Sequence, residues 1–478
     1  MSHRVPSAYL LGSPVLLVAA LSTACQPAEE KTAVVEPTPR VEAAQAQTLD
    51  PVDACSSATY DVTFAAVGDF GKANGNEWDV AQLVNQTFCP DFVITMGDND
   101  YQGHECYPTT VGAYYGDYGP SQSGIDDSCY GTSNSSHKTS SRSCDSAVKS
   151  FGGKSFFPSP GNHDTHGSDN TPFQHYLDYF TWASNPSGST VCTADNAADI
   201  AASLPSSLLP NGAMTNFSCP GSGNDVFYDI EIEGVRFFSL NSECLANVTG
   251  VDDGCYNVDL ACSGDYSTFN ACQQQYCAQA AWMGYAVAQN PSDKWRVASF
   301  HHSPFTTEDP TDSDGHVSCK GMEWDYPGMG ISTVITGHSH YYERFKFDRS
   351  RSPSPYLYFV NGIGGESLDP ICQAAPEIGE ANGQSLYSVH GSGDGGGHHG
   401  AMRLRANDSC LEIGFWSTKD ASGDLNPTEI DKCYLYDNGS SITSQCTNAM
   451  TDAVTAGLAS TCCDNRTAGD DGAPPACS

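Results

Sequence analysis

Five short runs of this 478-residue chain carry side chains suited to holding cations, and each follows a stretch that reads as a strand. In order they are Gly68-Asp69-Phe70-Gly71, Gly97-Asp98-Asn99-Asp100-Tyr101, Gly161-Asn162-His163-Asp164, Phe300-His301-His302-Ser303-Pro304 and Gly337-His338-Ser339-His340. Their carboxylates, phenol, amide and imidazoles are the oxygen and nitrogen donors that hard and borderline metal ions take. A lone Gly-Asp or Gly-His-x-His after a strand is usually just a turn. Five blocks in series amount to a donor set, and paired ions held by such a set lower the pKa of water and stabilise both oxygens of an in-line displacement.

The elements that must position these residues are legible around them. Residues 63–67 read as a buried strand running into the tight loop of Asp69, and a helical segment follows over 78–88. The next strand, 92–96, again ends in Gly-Asp, so two acidic residues emerge from neighbouring strand ends on one rim. Residues 226–232 and 235–240 form a hairpin turning at Glu233-Gly234, and 271–289 has the length and composition of a helix. Further strands are expected at 296–300, 333–336, 356–360, 411–416 and 432–436. Strands interspersed with helices predict a mixed α/β (α+β) layered domain rather than an all-β module.

Composition narrows the classes of function. Asp and Glu outnumber Lys and Arg by 57 to 21, a formal net charge of -36, which disfavours nucleic-acid binding through a basic face. Its 21 cysteines are scattered rather than grouped with zinc-site spacing, which predicts disulfides and an oxidising compartment. Arg4 precedes an apolar run over 8–21 that is too short for a comfortable membrane span and reads as a signal peptide over 1–24. The run ends in Leu21-Ser22-Thr23-Ala24-Cys25, which resembles a bacterial lipoprotein signal, with Ser22 where that pattern prefers leucine. A membrane tether through lipidated Cys25 and simple secretion both stay open, so the expected location is secreted, periplasmic or cell-surface. A flexible tether is expected over 25–54 and a folded domain over 55–436. That domain carries a disulfide-rich insertion of little regular structure at about 102–150, and a cysteine-containing tail follows over 437–478.

Taken together, the five blocks resemble the calcineurin-like metallophosphoesterases, and Gly-Asp-x-x-Tyr resembles the purple acid phosphatases among them. The likeness covers roughly residues 60–436 and extends to Tyr358-Phe359-Val360-Asn361-Gly362-Ile363-Gly364-Gly365 and to Tyr342-Glu343-Arg344 after the last block. The resemblance implies a four-layer αββα sandwich with a metal site at the carboxyl ends of its strands. It implies that Asp69, Asp98, Tyr101 and His340 bind one ion and that Asp98, Asn162, His301 and His338 bind a second, Asp98 bridging the two. The phenolate of Tyr101 favours ferric iron, and the family's second ion is divalent: iron, zinc or manganese. His301 and His302 compete for one ligand position, because adjacent strand residues face opposite ways; the spacing to Phe305 favours His301.

His163 takes the place of the family's substrate-side histidine, beside the phosphate and the leaving group. Where the family often carries another histidine, beyond the fourth block, this chain has Pro310 and Thr311; His316, His166, His398 and His399 are substitutes or ordinary loop residues. Asp164 is expected to orient a neighbour by accepting hydrogen bonds, and Asn361 to do the same or to shape its turn. The activity so implied is that of an acid phosphatase, hydrolysing small phosphate monoesters with a metal-bound hydroxide. A phosphodiesterase or nucleotidase using the same site, and a non-catalytic surface binding protein on this scaffold, are the alternatives.

Overall fold

Runs of β-branched and aromatic residues ending in glycine-led loops build several of the chain's strands. The computed structural model describes residues 50–103, 105–130, 139–144, 147–150, 153–165, 171–180, 190–209, 212–219, 227–244, 262–305, 319–346, 356–368, 385–389, 399–419 and 425–448. Along them lie β1 (Val62–Val67), β2 (Phe92–Thr95), β3 (Phe156–Phe157), the short β4 (Met214–Thr215), β5 (Tyr228–Ile232), β6 (Val235–Ser239) and β7 (Gly264–Asp265). Then come β8 (Trp295–Phe300), β9 (Thr333–Thr336), β10 (Tyr342–Lys346), β11 (Leu357–Asn361) and β12 (Ser385–Val389). The last four are β13 (Gly400–Ala406), β14 (Cys410–Lys419), β15 (Leu425–Asp437) and β16 (Ile442–Asn448).

Two seven-stranded sheets result, ordered β16-β15-β14-β13-β1-β2-β3 and β12-β10-β11-β9-β8-β6-β5, while β4 and β7 pair separately. Each has a parallel block, β1-β2-β3 in the first and β6-β8-β9-β11 in the second. The flanking strands run antiparallel. Parallel strands deliver their carboxyl ends to a common edge, where loops are free to build a site. The inner faces meet through the stacked rings of Tyr342 and Phe415, 4.1 Å apart, and through Arg344 on β10 paired with Asp431 on β15. Near the strand ends, Ser159 joins Ser239 at 2.9 Å and Ser299 at 3.0 Å, and Ser299 Oγ donates to Thr95 O.

Helices cover both outer faces. The segment Gly75–Gln82, continued by a wider turn over Leu83–Phe88, brings Phe88 edge-on to Trp416 of β14. On the other side Ala271–Gln289 starts at a reciprocal Asn270–Gln273 cap and sets Trp282 against Phe238 of β6. The order is therefore helix, sheet, sheet, helix, the mixed α/β sandwich expected.

Within the insertion, Pro108–Gly112, Ala113–Tyr115 and Gly116–Tyr118 form consecutive helical turns. The sequence reading of the domain's flanks needs amending in two places. The chain keeps its regular structure past residue 437, because β16 adds to the first sheet and Cys446 bonds to Cys433 on β15. Upstream, Pro51–Cys55 is a short helix capped by Asp50 and bound through Cys55 to Cys410. Seven disulfides join described cysteines, the signature of an oxidising compartment. Among the described residues no helix is long and apolar enough to cross a membrane. The signal peptide, Cys25, His166, His316, His398, Pro310, Thr311 and the tail after 448 lie outside the described residues.

Candidate metal centre

Each of the five blocks follows a parallel strand: β1 leads to Asp69, β2 to Asp98, β3 to Asn162, β8 to His301 and β9 to His338. The loops turn at once, and Asp69, Asp98 and His338 all hold positive φ, at 56°, 53° and 72°. Non-glycine residues adopt that region at an energetic penalty, and such strain clusters where a side chain must be aimed. Four of the five blocks open with glycine, and close packing explains three of these glycines. A Cβ at Gly97 would strike the His301 ring, one at Gly161 would strike Asp98 Oδ1, and one at Gly337 would strike Asp69 Oδ2, all inside 3.0 Å. Each of these glycines thus makes room for a candidate donor from a different block.

Two groups of donor atoms converge. In the first, Tyr101 Oη lies 3.1 Å from Asp69 Oδ1 and 3.2 Å from His340 Nε2, and His340 Nε2 is 3.5 Å from Asp69 Oδ1. In the second, His301 Nε2 is 2.7 Å from Asn162 Oδ1, 3.2 Å from His338 Nδ1 and 3.4 Å from Asp98 Oδ1. Donors bound to one ion at about 2.0–2.2 Å are separated by roughly these distances, so both groups fit a cation. Asp98 interacts with Tyr101 of the first group as well as with His301 of the second, the position a bridging carboxylate needs.

The chain's own charges are unbalanced here. Asp69 and Asp98 are fully buried. Burial works to raise the Asp98 carboxyl, but His301 and His163 outweigh it and hold it well below the ordinary value. Burial opposes a charge on His301, yet Asp98 and then Asp69 lift it to about 10. Tyr101 is pushed well above its ordinary value by burial and by the same two aspartates. A bound cation inverts this local logic, favouring phenolate and neutral imidazole.

The supporting contacts are as specific as the donors. His301 Nδ1 is fixed on Met96 O at 2.8 Å, which leaves Nε2 to face Asn162 and Asp98. His302 has Nδ1 2.8 Å from Glu243 Oε1 and its ring 4.2 Å from that of His338, and the ligand atoms of His301, His302 and His338 all lie within 4.8 Å of one another, so both adjacent histidines border the cluster. Asp164 accepts from Asn99 N and Nδ2, Gly161 N and Tyr107 Oη, which binds the loop of Asp98 to that of Asn162. His163 donates its backbone N–H to Asp98 Oδ1 at 2.9 Å and exposes its side chain, the ring 4.3 Å from Tyr101. Asn361 does not orient a donor; its Nδ2 donates to Ala66 O and ties β11 to β1. His399 is buried, with Nε2 2.8 Å from Glu366 O.

Glu243 and Ser242, which hold His302, carry no glycine-led motif. Only their place after β6, the parallel neighbour of β8, could have marked them in the sequence. Lys72 and Glu366, an ion pair beside Tyr101, were equally silent.

No family model matches the chain, and no curated protein matches it. Among solved structures it is similar to the purple acid phosphatase PPD1 from yellow lupin (Lupinus luteus) seeds, at 14% identity and a TM-score of 0.39, over 76% of this chain and 52% of that one. It is also similar to GAP50, described as the anchor in the inner membrane complex of Plasmodium, at 10% identity and a TM-score of 0.38, over 78% of this chain and 89% of that one. The chain therefore spans about half the length of the lupin protein. What the residues themselves establish is a mixed α/β sandwich with a buried His/Asp cluster suited to metal ions.

Proposed function

We propose that this protein is a dinuclear-metal phosphoric ester hydrolase acting on phosphate monoesters. The observation that carries the reading is the convergence of Asp69, Tyr101 and His340 beside Asp98, Asn162, His301 and His338, with Asp98 facing both groups. Asp69, Asp98, Tyr101 and His340 would hold one ion, and Asp98, Asn162, His301 and His338 the other. When bound, the ions supply positive charge for the ester and Lewis acidity toward water. Two carboxylates and a phenolate offset only part of that charge, leaving the site attractive to a phosphate. A phenolate donor favours ferric iron at the Tyr101 position, with a divalent neighbour.

The chain's own residues supply the rest. Asp164 keeps the Asp98 and Asn162 loops in register, and Glu243 fixes His302 against His338. Among the described residues His163 is the one exposed imidazole at the centre, tethered through its backbone to Asp98. That arrangement supports a role in donating a proton to the leaving alkoxide. No protein nucleophile is required.

Elemental analysis together with a panel of monoesters and diesters tests the proposal. Two ions per chain and hydrolysis of monoesters are expected, and Asp98→Asn should abolish turnover and loosen both ions. A fully active, metal-replete Asp98→Asn protein would overturn the assignment. A diester preference would shift it to a phosphodiesterase, and no ions with no hydrolysis would leave a binding protein.

A further inference from the structure

We propose that Lys72 is a substrate-binding residue of this site, an ammonium held at its rim that takes the dianionic phosphate of a monoester in preference to the monoanionic phosphate of a diester. The inference rests on the hydrolase reading above and assigns the side chain that would make it selective.

Lys72 stands three residues after Asp69 in a loop fixed on all sides. Its N–H donates to Phe70 O at 2.6 Å, its carbonyl accepts from Gln102 Nε2 at 2.8 Å, and the next residue, Ala73, has φ 51° with its N–H bonded to the buried Glu77 carboxylate. The backbone is thus part of the wall, while the side chain is 37% exposed. Its ammonium lies 5.1 Å from the centre of the Tyr101 ring, and the His163 ring packs against the same phenol. The phenol that presents Oη to Asp69 and His340 is therefore attended by two groups able to meet an anion.

Lys72 pairs with Glu366, and the pairing permits movement. The Glu366 carboxylate also accepts from Ser367 N at 2.7 Å and Ser367 Oγ at 2.9 Å, while its backbone N–H donates to Asp69 O at 3.0 Å. Both Ser367 bonds fall on Oε1 and persist when the ammonium turns away, and only Oε2, which faces Lys72, is released. The lysine side chain is the exposed member of the pair and the Glu366 carboxylate the buried one, so Glu366→Gln serves as the control for any loss of stability in Lys72→Ala. On a chain of net charge -36, an approaching phosphate meets repulsion nearly everywhere, and a mobile ammonium at the mouth changes its local potential. The extra negative charge of a monoester is what such a group reads.

The test compares Lys72→Ala, Lys72→Arg and Glu366→Gln with wild type, each loaded with metal and checked for ion content and thermal midpoint. Lys72→Ala should raise KM for a monoester and the inhibition constant of inorganic phosphate about tenfold or more. Its kcat and its diester KM should move less than threefold. Lys72→Arg should restore most of the loss, and Glu366→Gln should tighten phosphate binding. Unchanged KM and phosphate inhibition in Lys72→Ala would overturn the proposal, as would a loss of kcat accompanied by a loss of ions. Should the wild type hydrolyse neither ester class, the hydrolase reading fails separately. Calorimetric binding of inorganic phosphate to the metal-loaded proteins then still decides on Lys72: weaker binding in Lys72→Ala upholds its role, and equal binding removes it.

Discussion

Replacing Asp164 should damage this protein more than replacing most of its metal-facing residues, although Asp164 belongs to neither donor group. Its carboxylate is fully buried and accepts from four donors: Asn99 N, Asn99 Nδ2 at 2.8 Å, Gly161 N at 2.8 Å and Tyr107 Oη at 2.9 Å. Orphaning a buried donor costs about 1 kcal/mol or more, so Asp164→Ala should lose about 4 kcal/mol, a large share of a typical domain's stability. Asp164→Asn should lose only about 1–2 kcal/mol, because the Tyr107 hydroxyl can turn to accept from the new amide. The pH dependence separates the two effects. In the metal-stripped protein, burial and then Asp98 raise Asp164 to about 7. The folded state thus holds its proton more tightly than the unfolded chain, and the stability from this group is full below about 4 and lost as pH rises through about 7. Denaturant unfolding of the metal-stripped wild type should therefore show a decline between pH 4 and 7 that Asp164→Asn lacks. A loss under 1 kcal/mol in Asp164→Ala, or equal pH slopes in wild type and Asp164→Asn, would refute the reasoning.

Further outcomes are expected of the centre itself. Gly161→Ala, whose Cβ would strike Asp98 Oδ1, should destabilise by about 1–3 kcal/mol and reduce ion retention. Gly75→Ala, with open space around its Cβ, should do neither, as unfolding curves and elemental analysis will show. Loading with ferric iron should give a visible tyrosinate absorption band in the wild type that is absent from Tyr101→Phe; a band in both would remove Tyr101 from the donor set. His301 lifted to about 10 and Tyr101 well above its ordinary value are both protonated at pH 6–7, so ion uptake must release protons. Affinity should rise with pH, and calorimetry in buffers of different ionisation heat should count the release; a pH-independent affinity would contradict it.

The donor blocks were legible because each is local: a strand and a ligand type within five residues, with a leading glycine in all but the His301 block. The four-layer order followed from the resemblance and from the placement of helices between strands. What escaped the sequence depends on partners far along the chain. Tyr342-Glu343-Arg344 in β10 does not read as a buried strand, since its charges are tolerable only once Arg344 meets Asp431, 87 residues on. The same holds for β13, whose Arg403 and Arg405 pair with Glu412 on β14. Glu243 acquires meaning only through the pairing of β6 with β8. The choice between His301 and His302 was open because strand alternation assigns opposite faces without saying which is which. In the fold His301 Nδ1 meets Met96 O and His302 Nδ1 meets Glu243, yet the ligand atoms of both lie within 4.8 Å of that of His338, so alternation does not remove either ring from the cluster.

The charge balance of the centre ties metal binding to folding. Asp69, Asp98 and His301 offer ligand atoms all within 4.8 Å of one another, and all three side chains are buried. Carboxylates removed from water are destabilising unless paired. The ammonium beside Tyr101 is engaged with Glu366, which leaves imidazoles as the cations the described cluster can offer. Ions that bind the folded chain alone stabilise it by mass action, about 2.7 kcal/mol at a hundredfold excess over Kd. For a folded region this large that is a rise in thermal midpoint of a few degrees. Chelation should return the midpoint to its lower value, and Asp98→Asn, with one buried charge removed, should show a smaller response to added ions. Equal midpoints with and without chelator would mean that the cluster is balanced by hydrogen bonds alone, and the two donor groups would then be structural contacts rather than ligands.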